Sequence, residues 1–501
     1  MHQPYYRNLL TGTAELPWVR LHGVKDYLDM VQKLSGFPAI RQTFNIVPSL
    51  MEQVEGYADR SLKDAYLDLS YKPAAELTEQ DKQFILVNFF SINVERVIAM
   101  HPRYYELFFK RSRRASFDTQ DFLDLQVWFN LAWIDPSFRT RIPELKAIIA
   151  KGRFYSEEDK RVVLGKQTDI LEDIIPVYKK TMESGQLELS VTPYYHPILP
   201  LLYDTNVAKE ANPKATLPKV RFHHPEDTKS QIDQAVVYYN ERFGAKPLGM
   251  WPSEEGVSEH ILPAIIASGI NWIVTDEAIL FKSLKRKKRD TALLYQPHLL
   301  EREEGRLNII FRDRNLSDLI GFTYHKMSAK DAVDDFIKHL DNIESAFKGK
   351  DVLVTIAMDG ENAWEYYPND GHDFLDLLYK RLSEASNIRT TTVTEYLNKF
   401  PAKLKIKRLA AGSWIYGEFG KWIGNPQKRK AWEYLAKARK ELDSLDLELA
   451  RKQMYICEGS DWFWWYGEDP DGSFDALFRK HLTNFYNIIG KNPPEYLNSP
   501  I

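Results

Sequence analysis

Cysteine is nearly absent. The 501-residue chain carries one, Cys457, so no internal disulfide can form and nothing in the fold needs an oxidising compartment. Long apolar runs are missing too: no stretch reaches the roughly 18 residues that cross a bilayer, and no charged-then-apolar leader stands before the first polar motif. These absences point to a soluble, cytoplasmic protein with no membrane partner. Nor does one sign of charge dominate. Lys and Arg number 67 against 70 Asp and Glu, a net charge of −3, which supplies no field to gather nucleic acid. The isolated basic cluster KRKKR at 285–289 reads as a solvated loop. Internal repeats and low-complexity tracts are lacking. The twelve histidines include no pair at i,i+3 or i,i+4, so the simplest metal-ligand spacing is missing and no metal or other cofactor is expected.

What is present is a large apolar fraction, 44%, and many rings: 13% aromatic residues, with 12 Trp. The length suits two or three domains. Short apolar or β-branched runs stand at 41–47, 187–193, 247–251, 271–275, 307–311 and 352–357. Amphipathic helical patterns at 227–244, 258–269 and 328–347 lie between them, the last with Ser328 as its N-cap. Strands alternating with helices imply a parallel α/β sheet, open or closed into a barrel. The stretch from about 50 to 180 is helical in period and reads as an insertion. Strand signals fade after about 400. The chain therefore divides into an α/β domain, 1–400, carrying the helical insertion, and a C-terminal helical domain, 401–501.

In parallel α/β folds, functional groups collect where the strands end. After PLGMW comes PSEEGVSE, with Glu254 and Glu255; after VLVTIAM comes DGENAW, with Asp359 and Glu361. Two carboxylates on neighbouring strand ends are what glycoside cleavage requires, one to attack or stabilise the sugar carbon and one to protonate the leaving oxygen. Taken singly, each pair is equally a turn or a helix cap. The residues alone do not say which carboxylate takes which role. VTPYYHPILPLL brings His196 to a third rim position, and His2-Gln3-Pro4 opens the chain. Six of the twelve Trp fall after residue 400, in helices that need few for packing, which favours some of them facing a groove.

The segments HQP, LELSVTPYYHPILPLL, GMWPSEEGVSE, TIAMDGENAWEYYPNDG and GSWIYGEFGKWIGNP resemble, in order and character, the five sequence regions of glycoside hydrolase family 57. The likeness is nearest to its α-amylase and amylopullulanase-like members, and EGSDWFWWYGED at 458–469 is similar to their C-terminal helical segment. The resemblance implies a distorted (β/α)7 barrel with a helical C-terminal domain, acting on α-1,4-glucans such as maltodextrin, starch or glycogen by a retaining mechanism without metal. It implies Glu254 as nucleophile and Asp359 as general acid/base. It further implies His2, Gln3, His196 and Asp461 as sugar contacts, with Trp251, Trp364, Trp414, Trp422 and Trp462 as stacking surfaces. Glu255 and Glu361 would orient or tune the acid pair, or cap the following turn. Relatives that transfer glucan instead of hydrolysing it, 4-α-glucanotransferases and branching enzymes, share the first chemical step. Where the family's HQP ends a first barrel strand, this HQP follows Met1 directly, and six strand runs appear where seven are implied. The expectation is a barrel lacking that strand unless 390–394 (TTTVT) fills the gap. Unpaired edges would favour a homo-oligomer and a catalytically weakened, glucan-binding protein.

Overall fold

The computed structural model describes all residues except 362, 444 and 469–471. Its centre is a seven-stranded sheet: β1 (Gln42–Ile46), β2 (Leu187–Val191), β3 (Gly249–Met250), β4 (Trp272–Asp276), β5 (His298–Arg302), β6 (Gly305–Arg312) and β7 (Leu404–Lys405). The spatial order is β1-β2-β3-β4-β6-β5-β7. From β1 to β6 the neighbours are parallel, and β5 folds back antiparallel on β6. All five residues of β4 are buried, as expected of a central strand covered on both faces. With helices packed outside it, the sheet is a distorted (β/α)7-type barrel joined to a helical domain.

Five of the expected runs contain strands, and two strands were not anticipated. β5 pairs with β6 through Arg302↔Gly305, a tight hairpin whose glycine adopts φ 142°; the run LNIIF revealed only the second arm. β7 is two residues long. The run at 352–357 forms no ladder among the described residues: it holds one parallel bridge, Arg312↔Thr355, and the Asp313 backbone N–H donates to the Thr355 carbonyl at 2.8 Å. On its other side no strand pairs with it among the described residues. A cavity of about 700 Å³ separates it there from β1 and is lined by Gln42–Asn45 and by Val352–Met358. The segment 390–394 does not close this opening. Thr392 instead caps the helix Val393–Lys399, its hydroxyl accepting from the Glu395 N–H.

Between β1 and β2 the chain forms the expected helical insertion, from Pro48–Ala58 to the 27-residue helix Glu157–Glu183. Its starts are marked in sequence: Thr78, Asp118 and Ser156 each form a capping box. Buried Arg20 ties it to the N-terminal helices by donating to Asn130 (3.0 Å) and Gln167 (2.7 Å). Beyond β7, helices Pro426–Leu442, Glu448–Cys457, Ser460–Trp465 and Ser473–Ile488 pack together. None of the described helices is long and apolar enough to cross a membrane.

Candidate active site

Four chain segments converge where the parallel strands end. After β3, Trp251 donates its N–H to Val191 O of β2 at 2.9 Å, and the Thr192 hydroxyl donates to Trp251 O at 2.9 Å. The chain then turns sharply. Glu254 (φ 58°) and Glu255 (φ 53°) both occupy the left-handed region, a conformation that costs a non-glycine residue roughly 1–3 kcal/mol and gathers at functional sites. Both carboxyl groups are driven inward; Glu254 is 7% exposed and Glu255 fully buried.

Glu254 is held by one tryptophan in two ways. Trp414 Nε1 donates to Glu254 Oε2 at 2.7 Å, and the Trp414 N–H donates to the Glu254 carbonyl at 3.2 Å. The Trp414 ring meets the edge of Trp251 at 5.6 Å, and the Arg312 guanidinium lies 5.1 Å from its centre.

From β2, His196 arrives with φ 57°. Its ring stacks on His2 at 3.9 Å, and its Nδ1 shares a hydrogen bond with the Ser460 hydroxyl at 2.8 Å. His2 Nε2 lies 3.1 Å from Asp461 Oδ1, while the His2 backbone N–H donates to Glu361 Oε1 at 2.9 Å. The two imidazoles are pushed apart electrically. Burial disfavours charge on both, but the Asp461 carboxylate beside His2, helped by Glu254 and Glu361, lifts His2 to about 10. His196, facing that imidazolium in the same buried space, is held well below its ordinary value.

The expected residues separate by environment. His2, His196, Trp251, Glu254, Asp359, Trp364 and Trp414 line the one cavity, and Asp461 reaches it through His2. Gln3 accepts from the Tyr6 hydroxyl at 3.2 Å. Trp422 and Trp462 are 0% and 1% exposed. Trp422 packs on Trp464, and Trp462 donates to Ile456 O at 2.8 Å, so both belong to the packing of the C-terminal helices. Trp364 is mostly buried against Tyr367 and Phe374. Ser460, Arg312 and Glu361 complete the site; Glu361 and Ser460 stand inside segments that sequence singles out, and Arg312 does not.

Burial raises both catalytic candidates. Glu254 reaches about 8, lifted first by desolvation and then, against the pull of His2, by the Asp359 and Asp461 charges. Asp359 is raised by desolvation and next by the Glu361 charge. Two carboxyls in one anionic, water-poor space retain a proton at neutral pH. The His2 imidazolium favours charge on both carboxyls; the Trp414 bond adds to this on Glu254, the Arg312 and Met1 cations add to it on Asp359, and the Glu361 charge opposes it on Asp359.

The Glycosyl hydrolase family 57 model matches residues 1–407. The chain belongs to that family. Among curated relatives, it is 25% identical over 263 residues to Alpha-amylase 1 of Dictyoglomus thermophilum, covering 52% of this chain and 33% of that protein. It is 22% identical over 331 residues to the 4-alpha-glucanotransferase of Thermococcus litoralis, covering 64% and 42%. The chain thus aligns with less than half the length of these curated relatives. Among solved structures, a GH57 branching enzyme from Thermococcus kodakaraensis superposes with TM-score 0.60 at 14% identity, over 97% of this chain and 88% of that one. The alpha-amylase AmyC from Thermotoga maritima gives 0.59 at 15%, over 98% and 91%. At such identities these two likenesses concern the fold.

Proposed function

We propose that this family 57 chain cleaves α-1,4-glucosidic bonds of maltodextrin-like glucans by double displacement. Glu254 attacks the anomeric carbon and forms a glycosyl ester while Asp359 gives its proton to the departing oxygen. Asp359, now a carboxylate, then removes a proton from the incoming water, and the ester breaks with net retention. The observation that carries this reading is the shared cavity, in which Glu254 and Asp359, both raised by burial, face the same space while the Trp414 indole N–H binds the Glu254 carboxylate alone. Trp251 and Trp414 supply apolar faces for a sugar ring, and His2 and Asp461 supply polar groups for its hydroxyls. The test is release of reducing sugar from maltoheptaose by Glu254→Gln and Asp359→Asn, each expected to fall at least about 10³-fold with the fold intact. Full activity in either variant rejects the assignment.

Transfer is the second reading, supported by the glucanotransferase and branching-enzyme likenesses. It differs only in the acceptor, a sugar hydroxyl replacing water at the ester. Products longer than maltoheptaose identify it. Oligosaccharide binding without turnover at any pH would instead mark a glucan-binding protein.

A further inference from the structure

Glu361 lies two residues beyond Asp359, is fully buried, and takes no part in the displacement above. Its Oε1 accepts the His2 backbone N–H at 2.9 Å. Its Oε2 accepts no hydrogen bond among the described residues and lies 3.8 Å from the Met1 ammonium. A carboxylate enclosed in this way is costly unless its charge has a use. We propose that Glu361 is a positioning residue of the reaction: its buried carboxylate fixes His2 against His196 and Asp461 and sets a negative charge two residues from Asp359. This inference rests on the glycosidase reading.

The charges around the pair support it. Burial works against ionisation of Glu361, yet the Met1 ammonium, the His2 imidazolium and the His2 N–H outweigh burial and hold it below the ordinary glutamate value. Glu361 therefore stays ionised over the whole working range. Asp359 feels that charge together with the opposing His2, Met1 and Arg312 cations. From the loop after β3, Glu254 and Glu255 face it as well, each being raised in part by the Asp359 charge. The buried hydroxyls of Tyr27 and Tyr178 close the other side of Glu361; burial and then its charge raise both. Among the described residues no cation side chain hydrogen-bonds the Glu361 carboxylate, while the Met1 ammonium and the His2 ring lie 3.8 and 4.0 Å from its oxygens.

The amide of Gln keeps an acceptor for the His2 N–H and removes only the charge, so Glu361→Gln separates the two contributions. The measurement is the pH profile of kcat/KM on maltoheptaose for wild type, Glu361→Gln and Glu361→Ala, with thermal melts to confirm folding. Without the neighbouring charge Asp359 loses its proton more easily, so the alkaline limb of Glu361→Gln is expected to move down by about one pH unit. Glu361→Ala is expected to show the same displacement plus a several-fold higher KM, because His2 is no longer held. An unmoved limb in a folded Glu361→Gln, or an equal loss at every pH, overturns the inference. Asp359→Asn is the control on the reading beneath it. If that variant hydrolyses maltoheptaose normally, the acid assignment fails; if it is inactive and the limb is unmoved, only the role of Glu361 fails.

Discussion

The indole N–H of Trp414 and the carboxylate of Glu254 are joined by a 2.7 Å hydrogen bond across 160 residues of chain. The donor follows β7, the acceptor follows β3, and the bond is partly shielded from water. A charge-assisted bond in such a place stabilises the ionised form of the carboxyl, the form the proposed displacement needs.

Removing that donor should therefore have a direction. Trp414→Phe keeps the ring against Trp251 but leaves Glu254 without its N–H partner. Its pKa should rise, moving the acid limb of kcat/KM upward, and turnover should fall by about 10–100-fold, the size of a lost charged hydrogen bond. A pH profile of the variant checks both.

A second cluster gives a prediction about stability. His372 Nε2 lies 3.0 Å from Asp135 Oδ2 and 3.9 Å from Asp29 Oδ2, and the Ser137 hydroxyl donates to Asp29 at 3.1 Å. Burial, and then the Asp135 charge, push Asp29 up to about 7. A carboxyl whose folded pKa exceeds its unfolded value adds stability in full below the unfolded value, near 4, and loses it as pH rises through 7. His372 is raised despite burial, by its bond to Asp135, and so acts in the same direction. Asp135 is lowered: burial opposes its charge, but the His372 bond prevails, so its contribution is lost only at acid pH. Between pH 5 and 7 the Asp29 contribution should fall by about 2 kcal/mol, lowering the melting temperature, and Asp29→Asn should flatten that fall. Calorimetry at several pH values measures it.

Packing beneath the site is equally specific. A Cβ on Gly249 would lie 1.9 Å from Cζ2 of Trp272, and that indole donates to Glu188 at 3.2 Å and to Thr394 at 3.1 Å. Gly249→Ala must displace the ring, part β3 from β4 and shift the turn that bears Glu254. A loss of about 2–4 kcal/mol in denaturant unfolding, with a larger drop in activity than in melting temperature, is expected.

Legibility in the sequence followed range. Alternating strands and helices, the N-cap at Ser328, and carboxylates at strand ends are local, and local spacing displays them. The antiparallel β5 and the two-residue β7 escaped, because one arm of a hairpin resembles loop and a two-residue strand has no period. The run at 352–357 has strand composition, yet a ladder needs a partner on at least one side along its length, which no composition reveals. Sequence had placed Trp422 and Trp462 as stacking surfaces; ring count cannot tell a groove from a helix interface, and the folded helices bury both. The Asp29, Asp135 and His372 cluster is invisible to spacing rules, since its members lie on three distant segments. The mutual placement of His2, Glu361 and Asp461 was hidden for the same reason.

The central claim is that Glu254 forms the covalent bond to sugar while Asp359 handles the proton. α-Maltosyl fluoride carries a leaving group that needs no proton, so Asp359→Asn should still form the glycosyl ester and then lack a base to release it. Mass spectrometry of Asp359→Asn after brief reaction should show one added maltosyl group, located by peptide fragmentation on Glu254 and absent from the double variant that combines Glu254→Gln with Asp359→Asn. A maltosyl group on any other carboxylate, or none in a variant that consumes the fluoride, would contradict the account.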